Sequence, residues 1–127
     1  MGFLRVLAAY KLRRDLNACA LKSATESGRE EVQAWYQAIG GERQLSRNPE
    51  SNKAEIVSVL QNFRISTEDF RDMIRESRIL CGDLAEKLGM QKCTISFWHT
   101  GRSRIPKSRT WDVIAAAAEL APEKFRL

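Results

Sequence analysis

Three observations predict an all-α protein. Alanine and leucine are common while Gly (7) and Pro (3) are scarce in the 127 residues. Apolar residues recur at three- and four-residue steps along several stretches. No run alternates apolar and polar residues as a half-buried strand would. The length fits one domain, or a small domain with an extension. With 43% apolar and 29% charged residues, the chain has enough apolar mass for a packed core.

Residues 3–24 predict a long amphipathic helix. Phe3, Val6, Leu7, Tyr10, Leu16, Cys19 and Ala20 form its apolar side, with Lys11, Arg13, Arg14 and Lys22 elsewhere. "TESG" interrupts it. "REEVQAWYQAIGG" predicts a second helix, with Val32, Trp35, Tyr36 and Ile39 on one side. Glu30 and Glu31 stand in its first turn, where the helix dipole favours acids, and Gly40–Gly41 ends it. "GERQLSRNPESNK" is polar with an Asn-Pro inside and reads as a linker. The expected domains are therefore a helical extension over residues 1–50 and a second domain over 51–127. In that domain a short helix, "AEIVSVLQNF", precedes "STEDFRDMIRES", a helix start with a Ser/Thr cap and following acids. Asp69 and Asp72 are read as helix-start chemistry. There are no internal repeats and no low-complexity segments.

Charge narrows the function. Net charge is +4 over residues 1–25, −2 over 26–62 and +3 over 63–127, while Lys87 to Trp111 holds six bases and no acid. Such a sign-pure stretch points to a polyanion partner. No stretch is long and apolar enough to cross a membrane. Arg5 inside the first apolar run, with no small-residue cleavage site after it, argues against a secretory signal. Val6 stands where a myristoylation signal wants Ser or Thr. A cytoplasmic location is the expectation. Cys19, Cys81 and Cys93 form no C-x-x-C pair and read as free thiols in a reducing compartment; with His99, the single histidine, they are a conceivable zinc set whose spacing matches no common pattern. One histidine is a poor basis for nucleophile–base catalysis, and no glycine-rich phosphate loop is present. Neither an enzyme nor a cofactor is expected.

The informative stretch is "LAEKLGMQKCTISFW", residues 84 to 98. Leu84, Ala85 and Leu88 give a first short helix a buried face, with Ala85 small enough for a close helix crossing. Gly89 stands where a helix end wants a left-handed residue, and Met90 is a candidate for a buried turn. In the second piece Ile95 and Trp98 face inward, leaving Gln91, Lys92, Cys93, Ser96 and Phe97 outside. Two short helices crossing over a glycine turn, the second with a small-polar and basic outer face, make a helix-turn-helix sized for a DNA major groove.

With its flanks, this stretch resembles the lambda-repressor/Cro-like helix-turn-helix superfamily, whose motif runs L-A-x-x-L-G-x-x-x-x-T-I-S-x-W-x-x-G. Leu84, Ala85, Leu88, Gly89, Thr94, Ile95, Ser96, Trp98 and Gly101 match. The resemblance covers residues 66–125 and leaves 1–50 untouched. Leu80 departs from the usual Ser/Thr cap, His99-Thr100 from the usual Glu-Arg, and Cys93 is unusual on a base-facing position. The resemblance implies a lambda-repressor-like bundle after the N-terminal helical extension, with Gln91, Lys92, Cys93, Ser96 and Phe97 as base readers. Their chemistry agrees: Lys bonds guanine O6/N7, Gln pairs with adenine, and Phe packs on a thymine methyl. Arg102, Arg104, Lys107 and Arg109, with Thr94, are expected on phosphates, which position without specifying sequence. Arg5, Arg13 and Arg14 are read as edging the first helix rather than touching phosphates.

The resulting expectation is a sequence-specific double-stranded DNA-binding regulator, by default a repressor and a homodimer. The alternatives are an antitoxin- or phage-type factor, or a DNA-targeting accessory subunit of a nucleoprotein complex. In both, residues 1–50 bind another protein.

Overall fold

The computed structural model describes residues 2–17, 29–46 and 48–125. Cys19 and the expected continuation of the first helix to residue 24 lie outside them. The protein is all-helical: α1 (Gly2–Asn17), α2 (Arg29–Ala38), α3 (Pro49–Gln61), α4 (Thr67–Ser77), α5 (Cys81–Leu88), α6 (Lys92–Thr100) and α7 (Thr110–Leu120). Short 3₁₀ turns at Lys107–Arg109 and Pro122–Lys124 flank α7. Among the described residues, no helix is long and apolar enough to cross a membrane.

The chain forms two compact units, Leu7–Phe63 and Met1–Val6 with Arg64–Leu127. They do not coincide with the division at residue 50 expected from composition. Helix α3 goes with the first unit, and residues 2–6 go with the second.

In the Leu7–Phe63 unit, Leu12, Val32, Tyr36, Ile39, Leu45, Ile56 and Leu60 are buried. Trp35, expected on the apolar side of α2, is half-buried, with Lys11 Nζ 5.7 Å from its ring centre. Gly41 is required by packing: a Cβ there would come within 2.4 Å of the Tyr36 ring. The Tyr36 hydroxyl donates to Glu55 Oε1 at 2.7 Å. Burial, and then that carboxylate, raise the Tyr36 phenol above its usual value.

The stretch read as a linker is an anchored connection inside this unit. The Gln33 amide donates to the Arg43 carbonyl at 3.0 Å and accepts from the Leu45 N–H at 2.7 Å. Buried Asn52 accepts from the Ser46 N–H at 2.9 Å and donates to the Ser46 carbonyl at 2.8 Å. These side chains satisfy loop backbone groups that would otherwise need water. Asn48 then caps α3, accepting from the Glu50 N–H at 3.0 Å, with Pro49 in the first turn where its missing N–H costs nothing. The helix expected from Ala54 therefore begins at Pro49.

In the second unit α5 packs on α6 and α7, and α4 packs on α6. Its core holds Phe70, Met73, Ile74, Leu84, Ala85, Ile95, Trp98, Ile105, Val113 and Ile114, together with Ala116 to Ala118. Ala115, just before that run, is exposed, and Leu88 and Met90 are half-buried. Helix α4 opens as expected, with Ser66 accepting from the Asp69 N–H and Asp69 accepting from the Ser66 N–H. Buried Asp69 is also paired with Arg5, whose guanidinium reaches the Arg64 carbonyl as well, at 3.4 Å. Arg5 is thus committed inside the unit.

Candidate nucleic-acid interface

The candidate surface is built on α5, the turn through Gly89–Gln91, and α6. Gly89 closes α5 in the left-handed region, φ +66°, and the Met90 N–H returns to the Ala85 carbonyl at 2.9 Å. This closure follows from glycine having no Cβ to clash. The start of α5 has no side-chain cap, as Leu80 implies.

Helix α6 buries Ile95 and Trp98, and Trp98 meets Phe70 edge to face at 6.3 Å. Helical periodicity then leaves Gln91, Lys92, Cys93, Ser96 and Phe97 exposed on one side, and Thr94 half-buried. The Lys92 stem passes over Gly82, where a Cβ would stand 3.9 Å from its Cδ and Cε. The Cys93 thiol lies 3.4 Å from Gln91 Oε1 and donates to it. No side chain caps the start of α6 and no acid stands in its first turn. The Thr94 N–H donates to the Gln91 carbonyl at 3.1 Å, which leaves the Lys92 and Cys93 N–H groups for solvent or an anion.

The other end of α6 leads into the basic loop. Gly101 ends the helix at φ +82°, and the Ser103 N–H returns to the Phe97 carbonyl at 3.3 Å. The Arg64 guanidinium holds the far end of the loop, donating from Nε and Nη2 to the Ile105 carbonyl at 3.1 and 3.0 Å. Ile105 is buried and Thr110, the first residue of α7, has its hydroxyl 3.4 Å from the Ile65 N–H. Between these anchors Arg102 and Arg104 are exposed. An open cavity of about 380 Å³ lies beside the loop, lined by Arg104, Ile105 and residues 64–68.

The four basic residues expected on phosphates are not equivalent. Arg104 and Lys107 are exposed and have no ion pair among the described residues. Arg109 stands 3.7 Å from Asp112, the first acid beyond the sign-pure stretch. Arg102 covers one face of the Phe97 ring at 5.0 Å, which leaves Phe97 38% exposed. At the other end of the stretch Lys87 pairs with Glu119 at 2.8 Å. The run without acids is therefore partly neutralised in space by acids from α7. Lys92, Arg102, Arg104 and Lys107 remain as its charges without an ion pair among the described residues.

Sequence reasoning missed Arg64 and Arg71. The Arg71 guanidinium donates from Nε to the His99 carbonyl at 2.7 Å and from Nη2 to the Thr100 carbonyl at 2.8 Å. Cys81 is half-buried and Cys93 exposed, both as free thiols. Among the described residues no group of three His, Cys, Asp or Glu side chains is placed to hold a metal ion. No protein-family model, curated protein or solved structure matches the chain.

Proposed function

We propose that this chain is a sequence-specific double-stranded DNA-binding protein of the lambda-repressor-like helix-turn-helix type, acting as a transcriptional regulator without enzymatic activity. In this reading α5, its glycine turn and α6 form the motif, and α6 lies in the major groove. The observation that carries it is the outer face of α6. It exposes hydrogen-bonding and apolar groups suited to base edges, carries no acid, and runs directly into a loop presenting Arg102, Arg104 and Lys107. A helix that only solvates its surface has no use for a Phe97 left 38% exposed beside Arg102.

The roles divide by chemistry. Gln91, Lys92, Cys93, Ser96 and Phe97 read bases; Arg102, Arg104, Lys107 and Arg109 hold the backbone. Thr94, half-buried on the first turn of α6, joins the uncapped N–H groups of that turn on a phosphate, where the helix dipole adds attraction. One short helix reaches few base pairs, so the working form is a twofold dimer on a pseudo-palindromic site. Repression follows from occupancy alone, since a protein covering a promoter excludes other proteins.

Selection of bound fragments from random double-stranded DNA with the purified full-length chain tests the reading. Enrichment of a symmetric motif, bound at least a thousandfold (~4 kcal/mol) more tightly than random DNA, is expected. Recovery of sequences no different from the starting pool refutes it.

A further inference from the structure

We infer that Arg71 is a positioning residue for base reading: it fixes the angle at which α6 is presented, and touches no DNA itself. The inference rests on the DNA-binding reading above. Three contacts from α4 converge on the last turn of α6. Phe70 meets Trp98 and His99 edge to face, at 6.3 and 6.4 Å. The Arg71 fork takes the His99 and Thr100 carbonyls at 2.7 and 2.8 Å. At Gly101 a Cβ would stand in ordinary van der Waals contact, 3.4 Å from Thr67 Cγ2 and 3.5 Å from Arg71 Nη2, so the start of α4 lies against this turn.

The chemistry of the fork suits this task. The last carbonyls of a helix have no partner inside it, and they carry its negative dipole end. A guanidinium offers two parallel N–H groups of fixed geometry, so engaging two successive carbonyls sets an orientation as well as a distance. A lysine at the same place would keep the charge and lose the orientation. Two of the five N–H groups of Arg71 are committed to the protein backbone, and a phosphate contact through the other three is the alternative that the salt slope below separates from positioning.

The test compares Arg71→Met and Arg71→Lys with the parent on two DNAs, the best selected sequence and random sequence. Binding is measured across a salt series, at a temperature where circular dichroism shows all three proteins folded. Both variants should lose roughly tenfold of the preference for the selected sequence, the size of one weakened base contact, while random-DNA affinity and the salt slope stay at parental values. Backbone amide shifts of residues 97–101 should move in both variants without DNA. If Arg71→Met weakens both DNAs and flattens the slope while lysine restores them, Arg71 is a phosphate contact and the inference is overturned. It is equally overturned if preference is intact and only the melting temperature falls. A parent with no sequence preference at all defeats the underlying reading, and does so before either variant is compared.

Discussion

Replacing Arg104 by alanine separates a phosphate clamp from a merely solvated loop, and the structure sets the size of the effect. Arg104 lies between the anchors at Phe97 and Ile105, exposed and without an ion pair among the described residues, so its charge is available in full. Each phosphate it neutralises contributes about 0.9 to the log–log salt slope of binding. Over a fourfold rise in salt, the parent should then lose about 3.5-fold more affinity per protomer than Arg104→Ala. A dimer on two half-sites doubles the difference in slope. Because phosphates carry no sequence information, selected and random DNA should weaken alike. Arg109→Ala should change the slope less, since Asp112 at 3.7 Å already offsets that charge. Asp112→Ala should steepen the slope by releasing Arg109. Fluorescence anisotropy isotherms at several salt concentrations measure all three variants. Parallel lines for Arg104→Ala and the parent on both DNAs would mean that the loop does not touch the backbone. In that case Lys92 and the start of α6 hold it instead.

The remaining expectations concern reading and folding. Lys92→Ala and Ser96→Ala should each cost roughly 1–3 kcal/mol on selected DNA with little change on random DNA; equal loss on both, in the same anisotropy assay, would remove these residues from the reading face. Gly41→Ala should destabilise the Leu7–Phe63 unit by about 1–3 kcal/mol, because a Cβ 2.4 Å from the buried, hydrogen-bonded Tyr36 ring forces repacking. A thermal melt indistinguishable from the parent's would show that the ring yields freely. Arg5→Ala should cost about 1–3 kcal/mol in urea denaturation, since it strips a partner from buried Asp69; removing residues 1–50 carries the same loss into the second unit, and a truncated chain as stable as the parent would contradict it. The Tyr36 phenol is raised above its ordinary value of 10.0, so the folded state holds that proton longer than the unfolded state. Its contribution to stability is complete below pH 10.0 and is lost as pH rises through the folded value. Tyr36→Phe should flatten this alkaline loss, and an identical pH profile in the two proteins would reject the assignment.

Much of what depends on neighbours within a few residues was legible in the sequence. Ser66 three residues before Asp69 forms a capping box from groups that are neighbours in sequence. Gly40, Gly89 and Gly101 take positive φ because a helix end wants a residue without a Cβ. The exposed face of α6 follows from periodicity alone: burying Ile95 and Trp98 leaves Gln91, Lys92, Cys93, Ser96 and Phe97 on the outside.

Tertiary structure decided the rest, because composition does not say which distant acceptor a polar group will find. Asn48-Pro49 served equally well as a loop signal and as a helix start until Gln33 and Asn52 tied down the backbone before it. Arginines at 5, 64 and 71 look like any other surface cations in a basic chain. Their partners stand far away in sequence: Asp69 for Arg5, Ile105 for Arg64, and His99 with Thr100 for Arg71. A guanidinium carries five donors on a long stem, and only folding determines whether they meet a carbonyl of the same chain or are left for a phosphate.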